Sequence, residues 1–238
     1  MRAYFISIPL LKRVVLFSIT IFLAHSLMIK YLADNELEMV SLDYLQGTKV
    51  IIDAGHGGID SGATYYGLKE KDLTLEISLL LGKILTENGV EVIYTRESDV
   101  DYYTRGKGGK RNDLLTRVDM INNSGANAFV SIHCNADKAT RWSGAQVFYS
   151  DKLMENKILA HTMQELLRKY PPNNKRAEKL DNSILILKSS NIPGVLLETG
   201  YLSNRKESEL LSDKNYQENM VNQIAKALSY HFHQNSGG

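Results

Sequence analysis

Apolar and polar positions along this chain fall into two periods. Short unbroken apolar runs at Val50-Ile51-Ile52, Phe129-Val130-Ser131-Ile132 and Val195-Leu196-Leu197 read as strands buried on both faces. Between the first two, Leu73, Ile77, Leu80, Ile84 and Leu85 recur at helical steps, and Asn88-Gly89 is a stop signal, so the pattern predicts a helix over residues 70–88. The same reading predicts strands at 49–53, 90–95, 128–133, 144–150, 183–188 and 194–198. It predicts further helices at 113–123, 154–170, 207–211 and 216–232. A polar loop over 96–111 and a basic, proline-started loop over 171–181 join them. Strands alternating with helices imply an α/β fold: a single domain with a twisted, mostly parallel or mixed sheet of about six strands and helices on both faces.

The first 30 residues break this pattern. Arg2, Lys12 and Arg13 precede an apolar run from Val14 to Ile29, which Lys30 closes. Basic residues followed by an apolar stretch read as an export signal or a signal anchor over residues 1–30. The run is shorter than the roughly 20 residues of a comfortable span, and a buried core helix is the alternative. Ala24-His25-Ser26 offers a small-x-small cleavage site, so cleaved and uncleaved forms are both open. In either form the residues after Lys30 emerge outside the cytoplasmic membrane, in the cell wall or an intermembrane space. Residues 31–47, polar and partly acidic without periodicity, are expected as a linker, and residues 48–235 as the folded domain.

Composition narrows the classes. With 28 basic and 27 acidic residues the net charge is +1, which gives no footprint for nucleic acid. The single cysteine, Cys134, excludes an internal disulfide framework and reads as a small buried filler.

The chemistry-bearing residues sit at element ends. His56 follows the first strand inside Gly55-His56-Gly57-Gly58, His133 closes the strand over 128–133, Glu198 closes the one over 194–198, and Glu70 opens a helix. Two imidazoles and a carboxylate form a catalytic zinc set with a position left for water, and a further carboxylate beside that water supplies a general base. Each residue alone has a plainer reading: a hydrogen-bonding histidine, a helix-dipole partner, or a strand reaching solvent. Together they match the demand, and a carboxylate directly after Val-Leu-Leu is costly unless exposed or paired. Competing motifs fail. Asp60 stands where a dinucleotide fingerprint needs its third glycine, no Gly-Lys-Ser/Thr follows, and Ser61 lacks a nucleophile elbow. Cys134 and His133 are adjacent on a strand and point to opposite faces, so they form no thiol dyad.

These segments resemble the zinc-dependent N-acetylmuramoyl-L-alanine amidases of the amidase 3 type, over roughly Lys49 to His231. The ordered motifs are Ile52-Asp53-Ala54-Gly55-His56-Gly57-Gly58-Ile59-Asp60-Ser61-Gly62-Ala63, Glu70-Lys71-Asp72, Tyr94-Thr95-Arg96-Glu97-Ser98-Asp99, Leu115-Thr116-Arg117-Val118, Ser131-Ile132-His133-Cys134-Asn135-Ala136 and Leu197-Glu198-Thr199-Gly200-Tyr201-Leu202-Ser203-Asn204. The resemblance implies that His56, Glu70 and His133 hold one zinc ion per chain and that Glu198 is the catalytic carboxylate. It implies hydrolysis of the amide between the lactyl group of N-acetylmuramic acid and L-alanine in peptidoglycan. The lone domain behind one export segment, the loop over 99–111 and Trp142 to Tyr149 look most like the spore-cortex amidases of endospore formers, whose product feeds muramic-lactam formation. Ala54 departs from the proline many members carry there, which alters turn stiffness more than chemistry.

Substrate contacts are expected from Asn135 and from Arg96 or Arg117, with a local turn bond and salt bridges as their respective alternatives. The basic stretches 107–111 and 175–179 are candidates to attract an anionic glycan peptide, against plain solvation. The other function classes are another zinc peptidase of the wall, an amidase that needs a protein activator, and a non-catalytic wall-binding protein of the same fold. The expected partners are therefore peptidoglycan, the membrane if the leader is uncleaved, and an activator.

Overall fold

The structure is a computed structural model describing residues 8–103, 105 and 108–235. Arg2 and Lys107 lie outside the described residues. The chain divides into two compact units, ending and starting at Met39 and Val40.

The first unit is one helix, α1 (Ile8–Met39). From Leu11 to Met39 it is long and apolar enough to cross a bilayer. It has the length and composition of a signal sequence or membrane anchor. The helix does not stop at Lys30. Good helix formers such as Leu37, Glu36 and Glu38 carry it on, so the stretch expected as a linker is structured. Within the second unit, a 3-10 turn over Leu42–Leu45 follows, with Leu45 fully buried and Ser229 Oγ donating to the Ser41 carbonyl at 2.6 Å. The folded domain therefore begins at Val40, ahead of the boundary at residue 48.

The second unit runs β1 (Lys49–Ala54), β2 (Thr64–Tyr65), β3 (Leu68–Lys69), α2 (Glu70–Glu87), β4 (Glu91–Tyr94), α3 (Lys110–Asn123), β5 (Ala128–Asn135) and β6 (Gln146–Tyr149). It continues with α4 (Met154–Leu167), β7 (Lys179–Leu180), α5 (Leu185–Ser189), β8 (Gly194–Tyr201), α6 (Arg205–Leu211) and α7 (Lys214–Asn235). Six strands form one sheet in the order β4-β1-β5-β8-β6-β7. All neighbours are parallel except β6, which runs antiparallel to β8. The expected α/β architecture with a mostly parallel six-stranded sheet is the one observed.

Both faces are covered, which is why the central strands are apolar throughout. On one face α2 and α4 lie against the sheet, and α7 packs over both. On the other, Ile51, Phe129 and Leu196 meet Val118 and Ile121 of α3 and Ile186 and Leu187 of α5 in one buried cluster. The strand expected at 183–188 is the short helix α5 instead. Ile186 and Leu187 are both buried although adjacent, which a helical turn permits and strand alternation does not. The loop over 171–181 contributes the edge strand β7, and β2–β3 forms a separate hairpin.

Candidate metal centre

Strand alternation sends Ile51 and Asp53, then Phe129, Ser131 and His133, then Leu196 and Glu198, to one face of the sheet. Register aligns Asp53 with Ser131 and His133 with Glu198. The site therefore forms in two steps at the carboxyl ends of parallel strands, where α/β folds place their crevices.

The lower step is ionic and closed. Asp53 Oδ1 accepts from Thr95 Oγ1 at 2.6 Å and Arg117 Nη1 at 2.9 Å, and Oδ2 accepts from Ser131 Oγ at 2.6 Å. Burial alone would raise this carboxyl, but the Arg117 charge and the two hydroxyls bring it below the usual range. Arg117 also bonds Asp113 and donates to the carbonyls of Ala54 at 2.7 Å and His56 at 2.6 Å.

The upper step is the candidate centre. His56 has φ 60, unusual for a side-chain-bearing residue, inside a turn that Gly57 and Asp60 close with reciprocal 3.0 Å hydrogen bonds. Its Nδ1 lies 3.0 Å from Asp60 Oδ2, which leaves Nε2 to face Glu70 Oε1 at 3.0 Å. His133 Nδ1 lies 3.1 Å from the same oxygen. The Cys134 backbone N–H also donates to Oε1, and that of Ala63 donates to Oε2 at 2.8 Å. Burial pushes the Glu70 carboxyl up, yet the hydrogen bonds of His133 and His56 outweigh it and hold the group ionised. Asp60 is drawn down to about 2: burial opposes this, but Lys110, His56 and the Gly62 amide outweigh it.

One ligand-capable atom from each of His56, Glu70 and His133 lies within 4.8 Å of the others. That donor set, two imidazoles and a carboxylate, suits zinc. The histidines are seated against glycine. A methyl at Gly55 would land on the His133 ring, and one at Gly62, whose φ is +62, would lie 2.5 Å from Glu70 Oε2 and 2.8 Å from His56 Cδ2.

Glu198 stands beside this group without joining it. The residue is half-buried, but its Oε2 is cut off from solvent and has no hydrogen-bond partner. Burial lifts its pKa to about 7, with His133 and His56 pulling it down and Glu70 pushing it up. A cavity of about 420 Å³ contains His56, Glu70, His133, Glu198 and Asn135, with Phe148, Ile184 and Leu196 among its apolar walls. Asn135 thus faces the cavity, and its carbonyl is held by the Leu202 amide at 2.7 Å.

Arg96 is not a surface contact. It is 3% exposed, and its guanidinium is spent on the carbonyls of Ala54, Gly55, Ser98 and Lys71 and on Thr74 Oγ1. Four carbonyls that must be satisfied and one hydroxyl hold the group inside the fold. Arg117, 1% exposed, is likewise structural. Cys134 is the buried filler expected, its thiol 3.2 Å from Thr199 Oγ1 and its pKa raised well above the ordinary value by burial. The residue missed was Asp60. An acid four positions after a candidate ligand histidine was the available signal, since such histidines usually give their second nitrogen to a carboxylate.

Residues 50–230 match the family model described as N-acetylmuramoyl-L-alanine amidase. The germination-specific N-acetylmuramoyl-L-alanine amidase of Bacillus subtilis (strain 168) is 41% identical over 192 residues, covering 79% of this chain and 81% of that protein. The structure of the CwlD amidase from Clostridioides difficile, in complex with the GerS lipoprotein, superposes with a TM-score of 0.75 at 38% identity, over 79% of this chain and 100% of that one. The catalytic domain of CwlV, an N-acetylmuramoyl-L-alanine amidase from Bacillus (Paenibacillus) polymyxa var. colistinus, gives 0.65 at 31% identity over 77% and 97%.

Proposed function

Since the chain belongs to the N-acetylmuramoyl-L-alanine amidase family, we propose that it is a zinc enzyme cleaving the amide between the lactyl group of N-acetylmuramic acid and L-alanine, outside the cytoplasmic membrane. The observation that carries this reading is the convergence of His56, Glu70 and His133 beside a buried carboxylate oxygen that nothing satisfies. A lone buried acceptor is costly unless a ligand completes it. Zinc bound by the three residues would polarise the scissile carbonyl and lower the pKa of a water toward about 7.

The chain's own groups do the rest. Asp60 fixes the His56 ring, so that Nε2 is the nitrogen presented. Glu198, held near 7 by burial, takes a proton from the attacking water and returns it to the departing L-alanine nitrogen. Beside a divalent charge it is drawn to its ionised form, ready to accept. Phe148, Ile184 and Leu196 keep that wall of the cavity dry, which strengthens each electrostatic contact. Asn135 is placed to hydrogen-bond the substrate backbone.

The germination-specific relative supports spore cortex as the wall concerned, with the stem-free muramic acid feeding lactam formation. The relative solved with a lipoprotein supports an activating protein partner here too, and α1 supports retention at the membrane. The test is zinc content of the full-length chain in detergent, read together with mass analysis of digested sacculi. One zinc per chain and stem peptides with a free L-alanine amine are the expected result. Release only after a lipoprotein fraction is added would assign the activator a required role. Full zinc with every lactyl amide intact would leave a wall-binding protein.

A further inference from the structure

The two histidines form a wall shared by two cavities with different surroundings. One is the cavity that contains Glu198. The other, about 260 Å³, adjoins a hollow of about 320 Å³, and acids dominate both, with Asp53, Asp60, Asp101 and Asp113 set against Lys110 and Arg117. Those two cations are already committed, Lys110 to Asp60 and Arg117 to Asp53 and Asp113.

Near the Glu198 side stand cations that form no close ion pair among the described residues, although Lys179 acts at longer range on Asp181 and Arg176 on Glu207. Gln146 lies opposite Glu198, and Phe148, opposite Leu196, lines the cavity. The basic loop runs along the outer edge of β6, where β7 pairs with Phe148 and Tyr149 and Ala177 O accepts from Gln146 Nε2. Lys179 Nζ sits 5.2 Å over the Phe148 ring. Arg176 is pinned by Ser143 O and the Tyr201 hydroxyl and lies 5.2 Å over Trp142 and 5.0 Å over Tyr201. Arg141 approaches the same indole at 5.4 Å, and Trp142 is 43% exposed. None of these three cations meets a carboxylate among the described residues. The loop's own acids have other hydrogen-bond partners, His161 for Glu178 and Ser183 for Asp181.

We propose that Lys179, Arg176 and Arg141, with Trp142 as an exposed platform, form a cationic strip that binds the carboxylates of the stem peptide on the leaving-group side of the scissile amide. This rests on the amidase reading and fixes the direction in which substrate lies. The acid-bearing peptide runs along β6, and the uncharged N-acetylated sugar takes the acidic side, which would repel the peptide. Three cations with no close ion pair, one of them pre-ordered by two hydrogen bonds, match an acidic peptide.

Trp142 is the only tryptophan of the chain, so its fluorescence reports on the strip directly. The full-length chain in detergent is titrated with a free stem tetrapeptide and with its fully amidated form. A saturable change with the acid peptide, weakened at least tenfold by amidation or by 0.5 M salt, is expected. The variant R141Q/K179Q, at two exposed positions, should weaken it about tenfold, and R176Q should do so further. Cleavage of the corresponding muramoyl peptides is measured in parallel. The variants should raise KM for the acid substrate more than for the amidated one, so that the preference collapses toward unity. Equal binding of acid and amide, or unchanged preference in both variants, overturns the proposal. Absence of cleavage with intact peptide-dependent fluorescence would overturn the amidase reading and leave the strip standing.

Discussion

Two polar clusters sit one step apart on the same sheet face, and they are built on opposite rules. Around Asp53 both carboxylate oxygens are met, by two hydroxyls and a guanidinium, and Arg117 also donates to Asp113 and two carbonyls. Around Glu198 the reverse holds, since one oxygen is sealed from water and partnerless. The difference separates scaffold from chemistry better than charge does. Both clusters are buried carboxylates beside cationic or imidazole groups. The first is satisfied from within the chain, whereas the second leaves an oxygen open to something else.

The sharpest way to break this contrast is to cut the closed cluster. R117M leaves Asp53 charged in the interior without its counter-charge, and unfolding in urea should show a loss of about 3–5 kcal/mol. A loss below about 1 kcal/mol would mean that the network is not what holds the strand ends. The opposite behaviour is expected of E198Q. Hydrolysis should fall about a hundredfold or more while zinc content and urea midpoint hold steady, because the fold asks nothing of that carboxylate. Retained turnover would remove Glu198 from the reaction. D60N comes next. It keeps the shape but weakens the grip on His56 Nδ1, and zinc affinity measured by competition with a chelator should fall about 10–100-fold.

The smallest effect is titration of the closed cluster. Asp53 is held below its unfolded pKa, so its stabilisation is fully present above that value and drains away as pH falls through the folded one. The difference in melting temperature between the wild type and D53N should therefore be constant above about pH 4 and shrink below it. A gap that persists unchanged at pH 2.5 would show that the charge of Asp53 is not the stabilising element.

Much of this was legible in the chain itself. The runs at Val50, Phe129 and Val195 gave the central strands because a sheet covered on both sides needs apolar residues at every position, and the residue ending each run announced the site. What was not legible depends on partners far away in sequence. Ile184 to Leu187 reads equally well as strand or helix, and only packing against Leu196 decides for helix. β7 is two residues that become a strand because β6 offers an edge. Arg96 and Arg117 resembled surface cations because nothing local tells that Ala54, Gly55 and His56 present carbonyls that only a long, five-donor side chain can reach. The same blindness touched the edge of β6: Arg176 and Lys179 were visible as a basic loop, but not that β7 would lay that loop along β6.

The bare backbones at Gly55 and Gly62 carry a consequence for genetics. The rings of His133 and His56 occupy the space where a side chain would stand. Alleles that add even a methyl there should behave as nulls indistinguishable from loss of a histidine, while leaving a product of normal length. In a suppressor screen such alleles would not be rescued by more enzyme or more zinc, only by changes that restore the room. A survey of natural or laboratory variants that scores only the histidines and glutamates would miss two of the positions at which this protein is easiest to silence.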